Sequence, residues 1–170
     1  MIFRRHSRIT FWASLLLGLF GAKASAQMLA EQPSLTLDAA EKMVNACELL
    51  AKAKGWKVSV WVLDDAGVPV FMKRMQGASA QSILSAAKKA ETSRLLSAST
   101  DPTDAKSPAA RLTNNPAGQI SLGVSNLLPE GGGLPVIVDG KVAGAIGVSG
   151  VDSSQSAECA RVGVRAVVSK

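Results

Sequence analysis

Tyrosine is absent from this sequence, and histidine occurs once, at position 6. Aromatic residues make up 4% of the chain, so there is little from which to build a large stacking pocket. Cysteine occurs twice, at positions 47 and 159, too few and too far apart for a metal cluster. Acidic side chains number 13 against 19 basic ones, a formal charge of +6. Much of that charge sits near the N-terminus.

Residues 1–26 read as a cleavable export signal. Arg4, Arg5 and Arg8 precede an apolar run from Ile9 to Phe20, and Ala24-Ser25-Ala26 fits the small-residue pattern before a cut, leaving Gln27 first. The run is too short for the roughly 20 apolar residues of a membrane-spanning helix, so no stable membrane anchor is expected after cleavage. The arginine pair lacks the rest of a twin-arginine motif, which points to the general secretory route and a periplasmic or secreted product.

Cleavage takes away His6, three of the four Phe and one of the three Trp. It also takes four of the 19 basic residues and no acid, leaving 15 basic against 13 acidic side chains. A domain so balanced has no basic footprint for nucleic acid. Without imidazole it cannot run a Ser-His-Asp or Cys-His mechanism. Nor can it build a His-based zinc or iron site, or hold haem by the usual proximal His. Any catalysis falls to Lys, Arg, Asp, Glu, Cys, Ser or Thr. In an oxidising compartment Cys47 and Cys159 can close one long-loop disulfide. Each also lies in an apolar helical pattern, where a buried free cysteine is commonplace.

What remains suits one domain over 35–170, after a loose lead-in at 27–34. Thr36 is a plausible N-cap for a helix whose stripe is Ala40, Met43, Val44, Cys47, Leu50 and Ala51, stopped by Gly55. Lys57–Leu63 and Val68–Met75 read as a β-hairpin across Asp64-Asp65-Ala66-Gly67, with Pro69 favouring an edge. A second helix is expected over 79–97, with Ser82, Ser85, Lys89 and Thr92 forming one polar stripe.

Residues 98–118, with Pro102, Pro108 and Pro116, read as a long irregular stretch holding at most a short helical turn, and 119–128 is open between strand and helix. Pro135–Val138 and Lys141–Ser149 form a second hairpin about Asp139-Gly140, and a last helix runs from about Ser153 to the C-terminus. Hairpins joined by short turns imply an antiparallel sheet covered by helices: an α+β fold, not a Rossmann-type array.

Several patterns have a chemical reading beside a plain one. Gly131-Gly132-Gly133 lacks the G-K-[ST] tail of a phosphate loop and reads as a flexible turn. Gly144, Gly147 and Gly150, spaced by three, mark places where a helix packs close to a strand. Ser149-Gly150 leads straight into the last helix, whose free N–H groups can face an anion. Ser85 and Lys89, one turn apart, read as a solvated polar face ahead of a Ser–Lys dyad. Lys73-Arg74 beside Met72 and Met75, with Lys88-Lys89 on the next helix, mix cations and soft apolar surface, a chemistry suited to haem with its two propionates.

With these residues in view, the chain resembles the GlcG/HbpS-like, haem-degrading domain family. The resemblance runs through LTLDAAEKMVNAC (35–47), VSVWVLDDAGVPVFMKRMQGA (58–78), SILSAAKKAETS (82–93) and GGGLPVIVDGKVAGAIGVSGVDSSQSAECARVGVRA (131–166). It implies an antiparallel sheet of about five strands flanked by helices, with a profilin/PAS-like layering. It also implies a dimer or larger ring and a bound small molecule, haem or another tetrapyrrole foremost. The family's K-A-x-T arrangement carries over to Lys89 and Thr92 as ligand contacts, and its R-M pair to Arg74 as a second candidate. Ser149 and Gly150 complete the candidate set, while no catalytic residue is assigned.

Two stretches depart from the family pattern. Gln155 is followed by Ser156 and Ala157 before Glu158, and Ser125-Asn126-Leu127-Leu128 lacks the family's glycines. The alternative reading is an enzyme acting on a small carbonyl or hydroxy-acid metabolite, with Lys89 or Arg74 holding the carboxylate. A third is an interaction module without a ligand.

Overall fold

The computed structural model describes residues 31–168; the expected export signal, its expected cut site and the start of the lead-in lie outside them. Helix α1 (Leu37–Ala53) starts at the expected cap, Thr36 Oγ1 accepting from the Ala39 N–H at 3.3 Å. Its stripe of Ala40, Met43, Val44, Cys47 and Ala51 is wholly buried. Strands β1 (Ser59–Asp64) and β2 (Pro69–Arg74) form the first hairpin, where Asp64 Oδ1 accepts from the Val68 N–H at 2.8 Å. Helix α2 (Ala80–Leu96) is capped by Ser79.

The stretch 98–128 is more helical than expected. It holds α3 (Pro108–Thr113) and α4 (Pro116–Ser125), with Ser107 and Asn115 as N-caps. A proline in each first turn supplies a preset φ and a missing N–H that the helix does not need there. Those start signals decide 119–128 in favour of helix, although its composition is ambiguous. β3 (Gly133–Val138) and β4 (Lys141–Ser149) follow, with Asp139 and Gly140 at φ 50° and 76°. That is the pattern of a two-residue type I′ hairpin turn. Helix α5 (Ser153–Arg165) is capped by Asp152 and ends at Arg165, short of the expected C-terminal end.

The fold is α+β, as the hairpin pattern implies. Among the described residues the sheet has four antiparallel strands in the order β2-β1-β4-β3, one fewer than the resemblance led us to expect. Beyond the end of β1, the Leu35 N–H donates to the Ala143 carbonyl at 2.9 Å, so the lead-in is tied to β4 just before α1 begins. No helix among the described residues is long and apolar enough to cross a membrane.

The two sheet faces are covered by different helices. One carries Val58, Val60, Val62, Val136, Ile146 and Val148 and packs under α1 and α5 as the main core. The other carries Ser59, Trp61 and Leu63 of β1 beside Gly133, Ala145, Gly147 and Ser149, and α2 sinks where the β4 residues are small. A Cβ on Gly147 would overlap the Ala86 carbonyl oxygen and lie 2.6 Å from the Ala90 nitrogen. The glycine spacing of this strand thus serves close helix packing.

On the core side, Cys47 of α1 and Cys159 of α5 are joined in a disulfide with S–S 2.04 Å, and both are fully buried. Of the two states the sequence left open, the bonded one is present.

Candidate functional site

Lys89 is the unusual residue of α2. It is 2% exposed, yet it carries an ammonium. A buried charge is costly unless it is paired and hydrogen-bonded. Its Nζ donates to the Gly131 carbonyl at 3.0 Å and lies 3.2 Å from Glu130 Oε2. The Glu130 side chain is 54% exposed, so the partnership joins an interior cation to a carboxylate at the rim.

The polar stripe of α2 is therefore not the solvated face expected from its composition. Ser82, Lys89 and Thr92 are buried, and Ser85 is half-buried. Ser82 Oγ donates to the Ser79 carbonyl at 2.6 Å and is 2.7 Å from Ser59 Oγ on β1. Thr92 Oγ1 donates to the Lys88 carbonyl at 2.7 Å and accepts from the Leu128 N–H at 2.8 Å. Ser82 is buried against Ser59 of β1, whereas Lys89 and Thr92 are covered by the return of segment 126–133 across α2. Its backbone needs donors and acceptors, and the stripe supplies them.

Thr100 completes this anchoring. Its hydroxyl donates to the Glu130 carbonyl and accepts from the Gly133 N–H at 2.9 Å. Gly131, Gly132 and Gly133 are all buried, and β3 begins at Gly133, so the triple glycine is a docked crossing rather than a flexible turn. Glu130, Thr100 and Asn126 are the members of this constellation that sequence reasoning did not select. The signal available was the polar stripe itself: four polar residues at helical spacing need a polar partner if the helix is covered.

The other candidates lie apart from Lys89 and Thr92. Arg74 and Ser149 flank Ser59 on the α2 face of the sheet, and Arg74 Nη1 donates to the Ala78 carbonyl at 2.6 Å. Lys73 points to the opposite face, where its Nζ is 2.6 Å from Glu48 Oε2 on α1. Gly150 is exposed at the end of β4. The first turn of α5 carries its own carboxylate: Asp152 Oδ1 accepts from the Gln155 N–H at 2.9 Å and the Ser154 hydroxyl at 2.7 Å. These bonds, the Gln155 N–H first, hold the Asp152 carboxyl below its ordinary range.

For haem, the donor set fits at the edge of the molecule more than at the iron. Both cysteines are consumed by the disulfide. Among the described methionines Met43 and Met75 are buried, while Met72 is 57% exposed on the edge strand beside Trp61. Lys89 fits a propionate, whereas Lys88 is turned outward with its Nζ on Asn126 Oδ1. Thr92 reaches a ligand only if Leu127–Glu130 moves aside.

The model of the haem-degrading, HbpS-like family matches residues 35–165. The chain belongs to this family. An uncharacterised 15.0 kDa protein of the dhaT–dhaS intergenic region of Citrobacter freundii is 39% identical over 123 residues, 69% of this chain and 80% of that one. The crystal structure of a double mutant of HbpS from Streptomyces reticuli superposes with a TM-score of 0.74 at 29% identity, covering 89% of this chain and 99% of that one. A PduOC–haem complex shares the fold at TM-score 0.66 and 24% identity, over 78% of this chain and 94% of that one.

The two departures from the HbpS-like pattern have local causes. Ser156 and Ala157 are buried, so a carboxylate at either position would be taken out of water. Asn126 sits at φ 56° as the C-cap of α4, a position where asparagine substitutes for glycine, and its Oδ1 accepts from Lys88 Nζ at 2.7 Å.

Proposed function

We propose that this HbpS-like chain is exported, self-associates, and binds a small anionic ligand beside α2, with haem or another tetrapyrrole as the favoured class. The observation that carries the reading is the pairing of buried Lys89 with half-exposed Glu130. Glu130 can return to water at little cost, and a ligand carboxylate can then take its place at the ammonium. Lys89 would hold a propionate, and Thr92 would come into reach as Leu127–Glu130 lifts. The haem named in the family description and the haem complex of the same fold support this ligand class. Export is supported by the reading of residues 1–26 and by the disulfide, a bond that persists in oxidising compartments.

Titrating residues 27–170 with haemin while following the Soret band tests the ligand. Saturable binding is expected at micromolar protein. Lys89→Met should weaken it about tenfold or more, the loss of one charge-assisted contact. Glu130→Gln, which removes the competing carboxylate, should tighten it. No saturable Soret change, or equal affinity in Lys89→Met, would sink the proposal. An intact mass beginning at Gln27 in the exported fraction checks the cut.

A further inference from the structure

The outer face of α2 carries an exposed stripe that is complementary to itself. Leu84 is 55% and Leu95 53% exposed, and Lys88 and Glu91 between them are exposed as well. At 3.6 residues per turn these four positions fall within an arc of about 60°. Neither Lys88 nor Glu91 forms an ion pair with another described residue; Lys88 Nζ donates to Asn126 Oδ1, which leaves it two further N–H donors. The order along the helix is apolar, cationic, anionic, apolar. A two-fold axis passing between positions 89 and 90 exchanges 84 with 95 and 88 with 91. Each leucine then meets the other leucine of the second copy, and each lysine meets a glutamate.

We infer that a second copy of this chain packs here, α2 against α2 in antiparallel orientation. An isologous contact requires one patch to satisfy itself, and most unrelated partners would not match the alternation of this stripe. A shallow crossing of about 20° lets two helices stay in contact along such a stripe. Lys89 and Thr92 lie on the same helix, one turned inward beside this stripe, so the pairing brings two copies of the ligand site close to the symmetry axis. The inference deepens the self-association proposed above and rests on it.

Sedimentation equilibrium on residues 27–170 gives the test. Lys88→Glu sets like charges against each other twice per dimer, as does Glu91→Lys. Each should raise the dimer dissociation constant at least about tenfold, and the swap Lys88→Glu with Glu91→Lys should restore it to within about threefold of wild type. All three changes are at exposed positions, and circular dichroism reports whether the fold is kept.

Orientation is read separately by mixing Leu84→Cys protein with Leu95→Cys protein under mild oxidation. A crosslink between the two variants is expected, and none within either alone, because the like positions stand about 16 Å apart in the antiparallel pair. A parallel pair would give the reverse. An oligomer indifferent to every one of these substitutions overturns the α2 contact and leaves self-association standing. A monomeric wild type overturns both, and neither result bears on the haemin titration.

Discussion

Gly147 shows how one side chain, or its lack, sets the position of an element. Its partner strand residues and the helix above it are close enough that any Cβ meets the backbone of α2 rather than a side chain able to rotate away. Gly147→Ala must therefore lift α2 or bend β4, and it should cost about 3 kcal/mol or more. Urea unfolding, with the midpoint compared at equal slope, reads that loss. The close approach was legible from the glycine spacing of the strand. Lys89 was legible only as a position. Its residue type and helical phase put it in a polar stripe, but its burial depends on segment 126–133, which is far away in sequence and carries no periodic signal. For the same reason Glu130 and Thr100 stayed hidden: the Glu130 carboxylate meets Lys89, and the Thr100 hydroxyl meets the Glu130 carbonyl and the Gly133 N–H, only once that segment has returned across α2.

Among the elements, those with strong punctuation were readable and those without were not. Thr36, Ser79 and the Asp139-Gly140 turn placed their helices and hairpin to within a residue or two. In α4 the apolar pattern is irregular because only Gly118 is buried, so there is no stripe to find. The layers are pinned by few polar links. Glu48 on α1 is the chief one: its side chain is 15% exposed and bonds Lys73 on β2 and Lys52 one turn on, at 2.6 and 3.2 Å. The Lys73 ammonium foremost holds the Glu48 carboxyl below its ordinary value of 4.5. A lowered carboxyl pKa adds stability above the ordinary value and gives it up as pH falls through the lowered one. Glu48→Gln should thus cost about 1 kcal/mol at neutral pH, and the gap from wild type should close as the pH falls below the ordinary value of 4.5 and through the lowered one. Thermal unfolding at a series of pH values measures it. A gap of constant size would mean that the ion pair contributes nothing.

Across the whole molecule the disulfide outweighs any single packing contact. The side chains that α5 buries are small, Ser156, Ala157, Cys159 and Ala160 with Gly163, so the helix brings little apolar area to the core. Joining positions 112 apart removes about 4–5 kcal/mol of chain entropy from the unfolded state. Cys47→Ser with Cys159→Ser should lower stability by that order, seen as a fall in the denaturant midpoint, and reduction of wild type under denaturing conditions should give the same curve. Cysteine count and spacing could not decide the bond beforehand, because two buried thiols and one buried disulfide leave the same apolar helical pattern. The four-stranded sheet and its helices were readable from the hairpins; which helix lay on which face was not, since both faces of the sheet are covered.

The span between the cysteines encloses nearly every element of the fold, including the α3–α4 region with exposed Lys106 and Arg111. A protease that cuts there severs the backbone without separating the fragments. In a protease-rich compartment such a molecule would persist as a two-chain protein, migrating as one band until a reductant is added and as two afterwards.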